Sequence, residues 1–160
     1  MADTGEMVPA TEIRVEVNTE EEISRRIRRE LEARVYYYAQ RPEEIGARLN
    51  ELDREWDVER LLETNAGALA LLGLTLGSIH RKWVLLSALV GAFLLQHGVQ
   101  GWCPPVSVFR RLGIRTAAEI CHERFALKAL RGDFDNVNRD GEQSAEDRAR
   151  QAIEAADLYA

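Results

Sequence analysis

The sequence predicts an all-α membrane protein: a membrane helical hairpin, with a charged N-terminal helical arm before it and a C-terminal amphipathic helix after it. Three observations lead there. Two leucine-rich apolar runs, Ala66 to Ile79 and Trp83 to Val99, are separated only by His80-Arg81-Lys82. Charge comes in blocks, dense up to Glu63 and again after Arg110, and nearly absent between them. Within the charged blocks apolar residues recur at steps of three and four, the repeat of one helix face. The mean hydropathy of -0.31 over the chain conceals this division.

Residues 1–18 read as a flexible or extended N-terminus. Met1 to Thr11 is small and polar. Ile13, Val15 and Val17 alternate with Glu12, Arg14 and Glu16, the period of a short half-buried strand. With Asp3 and Glu6 and no apolar stretch, the start of the chain does not read as a cleavable signal peptide. Membrane targeting therefore falls to the internal hairpin.

Residues 19–60 read as a cytoplasmic helical arm. Thr19 and Glu22 have the spacing of a capping box. Ile23, Ile27, Leu31, Val35 and Tyr38 then form one apolar stripe, which Arg41-Pro42 ends because the residue before proline avoids the α region. Pro42 can open the next helix, whose stripe is Ile45, Leu49, Leu52 and Trp56. Its other face, Glu44, Arg48, Glu51, Arg54 and Glu55, mixes signs at distances suited to i,i+4 pairs. The two stripes are expected to cover each other. A membrane-surface helix is disfavoured because its polar face tends to be rich in lysine, and this arm has none. Tyr36-Tyr37-Tyr38 reads as core plus an exposed ring rather than a ligand platform.

Residues 61–100 read as the transmembrane hairpin, its first helix running unbroken out of the arm. Leu61 to Ile79 would span roughly 28 Å and Trp83 to Val99 roughly 26 Å, slightly short of the ~30 Å bilayer core. Burial in a soluble bundle is the competing reading. It fails because both helices are apolar all round, and a chain of this size lacks the mass to cover them. Small residues suited to helix packing are Ala66, Ala70, Gly73 and Gly77 on the first helix and Ser87, Gly91 and Gly98 on the second. Gly73 and Gly77 form a GxxxG pair, which permits close helix approach in lipid and suggests a homo-oligomer. Polar residues in lipid are costly. Reflection about the turn sets Asn65 level with His97, so Asn65, Gln96 and His97 form a candidate polar membrane site; the plainer reading is interfacial residues that hydrogen-bond one another and headgroups.

Orientation follows from basic residues in short flanks. Arg81 and Lys82 lie in the turn, against Arg54, Arg60, Arg110, Arg111 and Arg115 on the other side. Both termini are thus expected in the cytoplasm and the hairpin in the inner (plasma) membrane. Trp83 and Trp102 fit the aromatic belts.

Residues 101–132 read as a Cys-Pro-Pro corner and an amphipathic helix, with Arg110, Arg111 and Arg115 available to anionic headgroups. Thr116 and Glu119 make a second capping box, followed by Ile120, Phe125, Leu127 and Leu130. Residues 133–160 read as a polar tail, disordered or loosely helical.

The order of small residues in the hairpin, the Arg-Lys-Trp turn, Gly101-Trp102-Cys103-Pro104 and Leu112-Gly113-Ile114-Arg115-Thr116 together resemble the YgaP-like transmembrane domain family. The likeness covers about Val58 to Ile120. It implies a two-helix inner-membrane hairpin of bacterial type ending in a Gly-x-Cys-Pro and Leu-Gly-x-x-Thr signature, matched here by Gly101, Cys103, Pro104, Leu112, Gly113 and Thr116. In the namesake the hairpin is fused to a cytoplasmic rhodanese that moves sulfane sulfur through a loop cysteine. This arm has no cysteine and a helical rather than α/β composition, so that activity does not carry over.

The remaining chemistry is sparse. A net charge of -6 argues against nucleic-acid binding. Cys103 and Cys121 make no disulfide framework. Cys103, near Arg110 and Arg111, is a candidate thiol for sulfur relay or redox chemistry. Cys103, Cys121, His122 and His97 lack the spacing of a preformed metal site, and no cofactor is expected. The expected partners are the lipid bilayer, a second copy or another membrane protein at the hairpin, and a cytoplasmic protein at the arm. An anchor or interaction module is therefore the leading reading, with a Cys103 thiol carrier and an oligomeric transport subunit as alternatives.

Overall fold

The computed structural model describes residues 13–135, 137 and 144–156, and among them there is no strand. The membrane helical hairpin is present as α4 (Val58–Gly77) and α5 (Val84–Gln100), joined through an exposed 3-10 turn at Arg81–Trp83. Before it come α1 (Arg14–Val17), α2 (Glu21–Ala39) and α3 (Ile45–Leu52); after it come α6 (Pro104–Arg111), α7 (Ala117–Arg131) and α8 (Ala145–Ala156). They form two compact units, residues up to 28 with 56–118, and 29–55 with 119 onward.

In the hairpin unit, α4 does not continue the arm. Residues 53–57 break the helix, and Asp57 restarts it by accepting the Arg60 amide at 2.6 Å on Oδ1. An acidic cap satisfies an orphan donor and faces the positive end of the helix dipole. Trp56, expected on the arm's stripe, lies in this break, 44% exposed, with the Arg60 guanidinium 4.4 Å over its ring. Val58 and Leu62 are buried with Val15, Cys103 and Val106, and Phe93, Phe109 and Ile114 pack against that cluster. This core holds the open end of the hairpin.

Residues 14–17 are a single helical turn rather than the expected strand. Val17 donates to Ile13 O at 2.9 Å, and the Thr19 hydroxyl to Val15 O at 2.7 Å. The alternation has a helical reading too. Val15 enters the core at 1% exposure, while Ile13 and Val17 share the opposite, exposed side at 47% and 63%. With its hydroxyl thus engaged, and accepting from Arg110 Nε at 3.1 Å, Thr19 is not the cap of α2, which starts at Glu21.

The second unit holds another core. Ile45, Leu49 and Leu52 of α3 bury against Ile120 and Leu127 of α7, with Tyr38 alongside. The arm's second stripe is therefore covered largely by the helix expected to lie at the membrane. Glu123, fully buried, accepts from Arg34 Nε at 3.0 Å and Arg48 Nε at 2.8 Å, and Arg124 pairs with Asp53 at 2.6 Å. Tyr37, beside Tyr38 in an edge-on contact, carries Arg41 over its ring at 4.1 Å. In the tail, Ser144 Oγ accepts the Asp147 amide at 3.1 Å and starts α8.

Candidate functional site

The hairpin is built around one close approach. A β-carbon added at Gly73 would lie 2.5 Å from Ser87 Oγ, 3.0 Å from Ser87 N and 3.1 Å from Trp83 O, so the α5 backbone comes up against α4 there with only the small serine side chain beside it. Ser87 Oγ donates to Ala70 O at 2.8 Å, an interhelical bond of the type that joins helices in lipid. At Gly77 an added β-carbon would meet Val84 Cγ2 at 2.7 Å. Ala66 is buried on the same helix. The seam thus brings together Ala66, Ala70, Gly73, Gly77 and Ser87. It leaves out Gly91 and Gly98, where an added β-carbon meets nothing within 4 Å. Those two are seven residues apart and exposed on one face of α5.

The polar residues expected at the mouth do not form one cluster. Asn65 is exposed and donates to Leu61 O at 2.8 Å, one turn back on its own helix. Gln96 is half-buried. His97 is buried, and neither ring nitrogen has a hydrogen-bond partner. No hydrogen bond therefore joins His97 to Asn65.

The exit of α5 is closed by residues far away in sequence. Gly101 takes the left-handed conformation, φ 75°, which glycine adopts without penalty. Its missing side chain lets α1 sit against it, since a β-carbon would lie 2.6 Å from Arg14 O. Asn18 Nδ2 donates to Gln100 O at 2.8 Å, satisfying one of the last helix carbonyls. Gly101→Ala is expected to weaken this docking by about 1–2 kcal/mol from backbone conformation alone. Hydrogen exchange should then quicken at the Val17 amide while α4 and α5 are unchanged.

Cys103 occupies the N-cap position of α6, and Pro104 its first helical position. The cysteine is 0% exposed. Burial pushes its thiol above the ordinary cysteine range, partly offset by a hydrogen bond from the Val106 backbone. A buried, protonated thiol is a poor nucleophile and a poor metal ligand. In the folded protein Cys103 should react with iodoacetamide at least roughly tenfold more slowly than the half-buried Cys121. Its rate should begin to rise only above the usual thiol titration range, because the raised value keeps the proton on at lower pH. Among the described residues no group of three His, Cys, Asp or Glu side chains is arranged to hold a metal ion.

Leu112 follows α6 and is exposed, Gly113 has φ 85°, and the buried Thr116 directly precedes α7. Two of the three arginines of this segment are committed inside the unit. Arg110 is 1% exposed and donates to Thr19 Oγ1 and, at 3.1 Å, to Ile114 O. Arg115 is also buried, and Arg111 pairs with Glu20 at 2.5 Å. Arg110 and Arg115 are thus withdrawn from anionic headgroups by burial, whereas Arg111 stays at the surface in an exposed pair. Sequence reasoning also missed Arg14 and Asn18, since nothing local marks residues that serve a helix end so far along the chain.

The segment Arg81–Gln100 is long and apolar enough to cross a membrane, with 11% of its apolar stretch buried inside the protein. The α4 helix does not meet that standard, because Arg60, Glu63 and Asn65 lie in its first half. No curated protein matches the chain, and no solved structure does. Residues 57–119 match the family described as inner membrane protein YgaP-like, transmembrane domain. That span takes in α4, the turn, α5, the Cys-Pro-Pro corner and α6. The close-packed hairpin and the capped corner after it are thus the part of this chain that matches the YgaP-like transmembrane domain, and the chain is a membrane protein.

Proposed function

We propose that this protein is an inner-membrane anchor whose hairpin crosses the bilayer twice and assembles with another membrane chain. One observation carries the anchor reading: the outward faces of both hairpin helices are apolar. Leu71, Leu74 and Ile79 on one side of the turn, and Leu85, Leu89 and Leu95 on the other, are each more than half exposed. Soluble surfaces rarely carry an apolar area of that extent, and lipid is the solvent that suits it. Arginine excess on the side of the termini supports a cytoplasmic location for both, since the rule acts on the nascent chain, before Arg110 and Arg115 become buried. Alkaline phosphatase inserted after Arg81 should be active, and the same reporter after Ala160 inactive. The reverse pattern, or release of the protein by carbonate washing, would refute the topology.

The assembly reading favours the hairpin over the arm, because the arm's apolar stripe is spent on its own core. It also moves the contact. Gly73 and Gly77 are used between α4 and α5, whereas Gly91 and Gly98 offer an open small-residue face to a neighbouring helix. Gly91→Ile with Gly98→Ile should lower the oligomer mass in mild detergent while the hairpin stays closed. An unchanged mass would rule out this face. A thiol carrier at Cys103 finds no support in a buried sulfur.

A further inference from the structure

The face of α6 turned away from the core carries large apolar side chains beside the exposed Arg111. Val106 and Arg110, one turn apart, point inward at 3% and 1% exposure. Val108 and Leu112, also one turn apart, stand out at 55% and 73%. Just before them Trp102 is exposed, in the corner that follows the exposed Leu95 and Val99 of α5. The lipid-facing side of the hairpin therefore passes around the corner at Gly101 and onto α6. The one exposed charge on this segment, Arg111, is paired with Glu20, and Arg110 is buried.

We propose that α6 lies along the membrane–water boundary, with Trp102, Val108 and Leu112 seated among the acyl chains next to the headgroups. The partner is the bilayer itself. Continuity with the exposed apolar end of α5 favours it over a protein, and a tryptophan at the junction suits the boundary, where its ring is apolar and its N–H is wet. Short amphipathic segments of this kind embed their apolar side roughly 5–10 Å into the boundary. Since apolar contact provides the attachment, it should not depend on anionic lipid.

The inference rests on the hairpin being inserted, and the test separates the two. In the full chain with Trp56, Trp83 and Trp102 changed to Phe, a single tryptophan is introduced as Val108→Trp, Leu112→Trp or, for the hairpin, Leu89→Trp. Each protein is reconstituted in phosphatidylcholine vesicles, with folding checked by circular dichroism. Val108→Trp and Leu112→Trp should each lose about half their emission to lipids brominated near the headgroup end, consistent with shallow insertion, and resist acrylamide. Leu89→Trp should respond most to bromines deep in the chains. If Leu89→Trp is quenched by lipid but Val108→Trp and Leu112→Trp only by acrylamide, α6 faces water and the proposal is wrong. Protection of both from acrylamide without bromine quenching would assign the face to protein contact and overturn it equally. Failure of Leu89→Trp itself to respond would defeat the anchor reading first. Adding phosphatidylglycerol should leave the α6 signals unchanged within about 10%, because Arg110 is buried and Arg111 is held in its pair with Glu20; a gain that salt abolishes would instead make the attachment electrostatic and refute apolar seating.

Discussion

Gly73→Leu is expected to open the hairpin. The added β-carbon meets Ser87 N at 3.0 Å and Trp83 O at 3.1 Å, and neither backbone atom can turn aside as a side chain can. The helices must separate, which also removes the Ser87–Ala70 hydrogen bond. Overpacking of this kind costs about 1–3 kcal/mol, and an interhelical bond in lipid adds about 0.6–1.7 kcal/mol. The sum, roughly 3 kcal/mol, is more than a hundredfold in the closed-to-open ratio. Titration with sodium dodecyl sulfate, followed by energy transfer between labels at the turn and at the open end, would show it. Gly91→Leu is the matched control, since its β-carbon meets open space. Equal loss in the two variants would mean that leucine acts through lipid solvation or insertion rather than through the seam.

Glu123→Leu should have the next largest effect, confined to the unit formed by residues 29–55 and 119 onward. The carboxylate is fully buried and receives Arg34 and Arg48 on its two oxygens, Oε2 and Oε1. Removing one member of a buried ionic group costs about 3–5 kcal/mol, because the remaining charges lose their compensation. Arg34 is 30% exposed, and Arg48 keeps Glu51 and Glu55, so the lower end applies. Urea denaturation in micelles, read by hydrogen exchange in α3 and α7, should show a loss of about 3 kcal/mol. Glu123→Gln should recover part of it, since an amide oxygen still accepts one of the two bonds. A change below about 1 kcal/mol would place this cluster among the exposed pairs that add little.

The elements legible in the sequence share one property: their signal is local. Apolar runs, proline at a helix start and glycine at a helix end act within a turn or two, so α2, α3, α4, α5 and α7 are all recognisable from the order of residues alone. The hairpin seam is legible as a set of small residues, but only Ala66, Ala70, Gly73, Gly77 and Ser87 lie in it. Composition does not reveal which small residues the facing helix reaches, and an added β-carbon at Gly91 or Gly98 meets open space. Ile13, Val15 and Val17 mislead because one buried residue flanked by two exposed ones fits a helical turn as well as a strand. The arginines mislead for a different reason. Arg110 and Arg115 read as solvent-facing from their charge, and only tertiary partners such as Thr19 and the Ile114 carbonyl, both serving Arg110, make such burial tolerable.

The clasp of Asn18 on the Gln100 carbonyl has a consequence for the order of assembly. It links residues 82 apart, whereas the Ser87–Ala70 bond across the hairpin links residues 17 apart. Loop-closure entropy favours the shorter connection, and the ribosome delivers residue 100 only after both membrane helices have been made. The N-terminal turn must therefore wait, with Val15 uncovered, until the second helix has emerged and its exit can be capped. A chain arrested before that point displays a greasy, unlatched N-terminal segment.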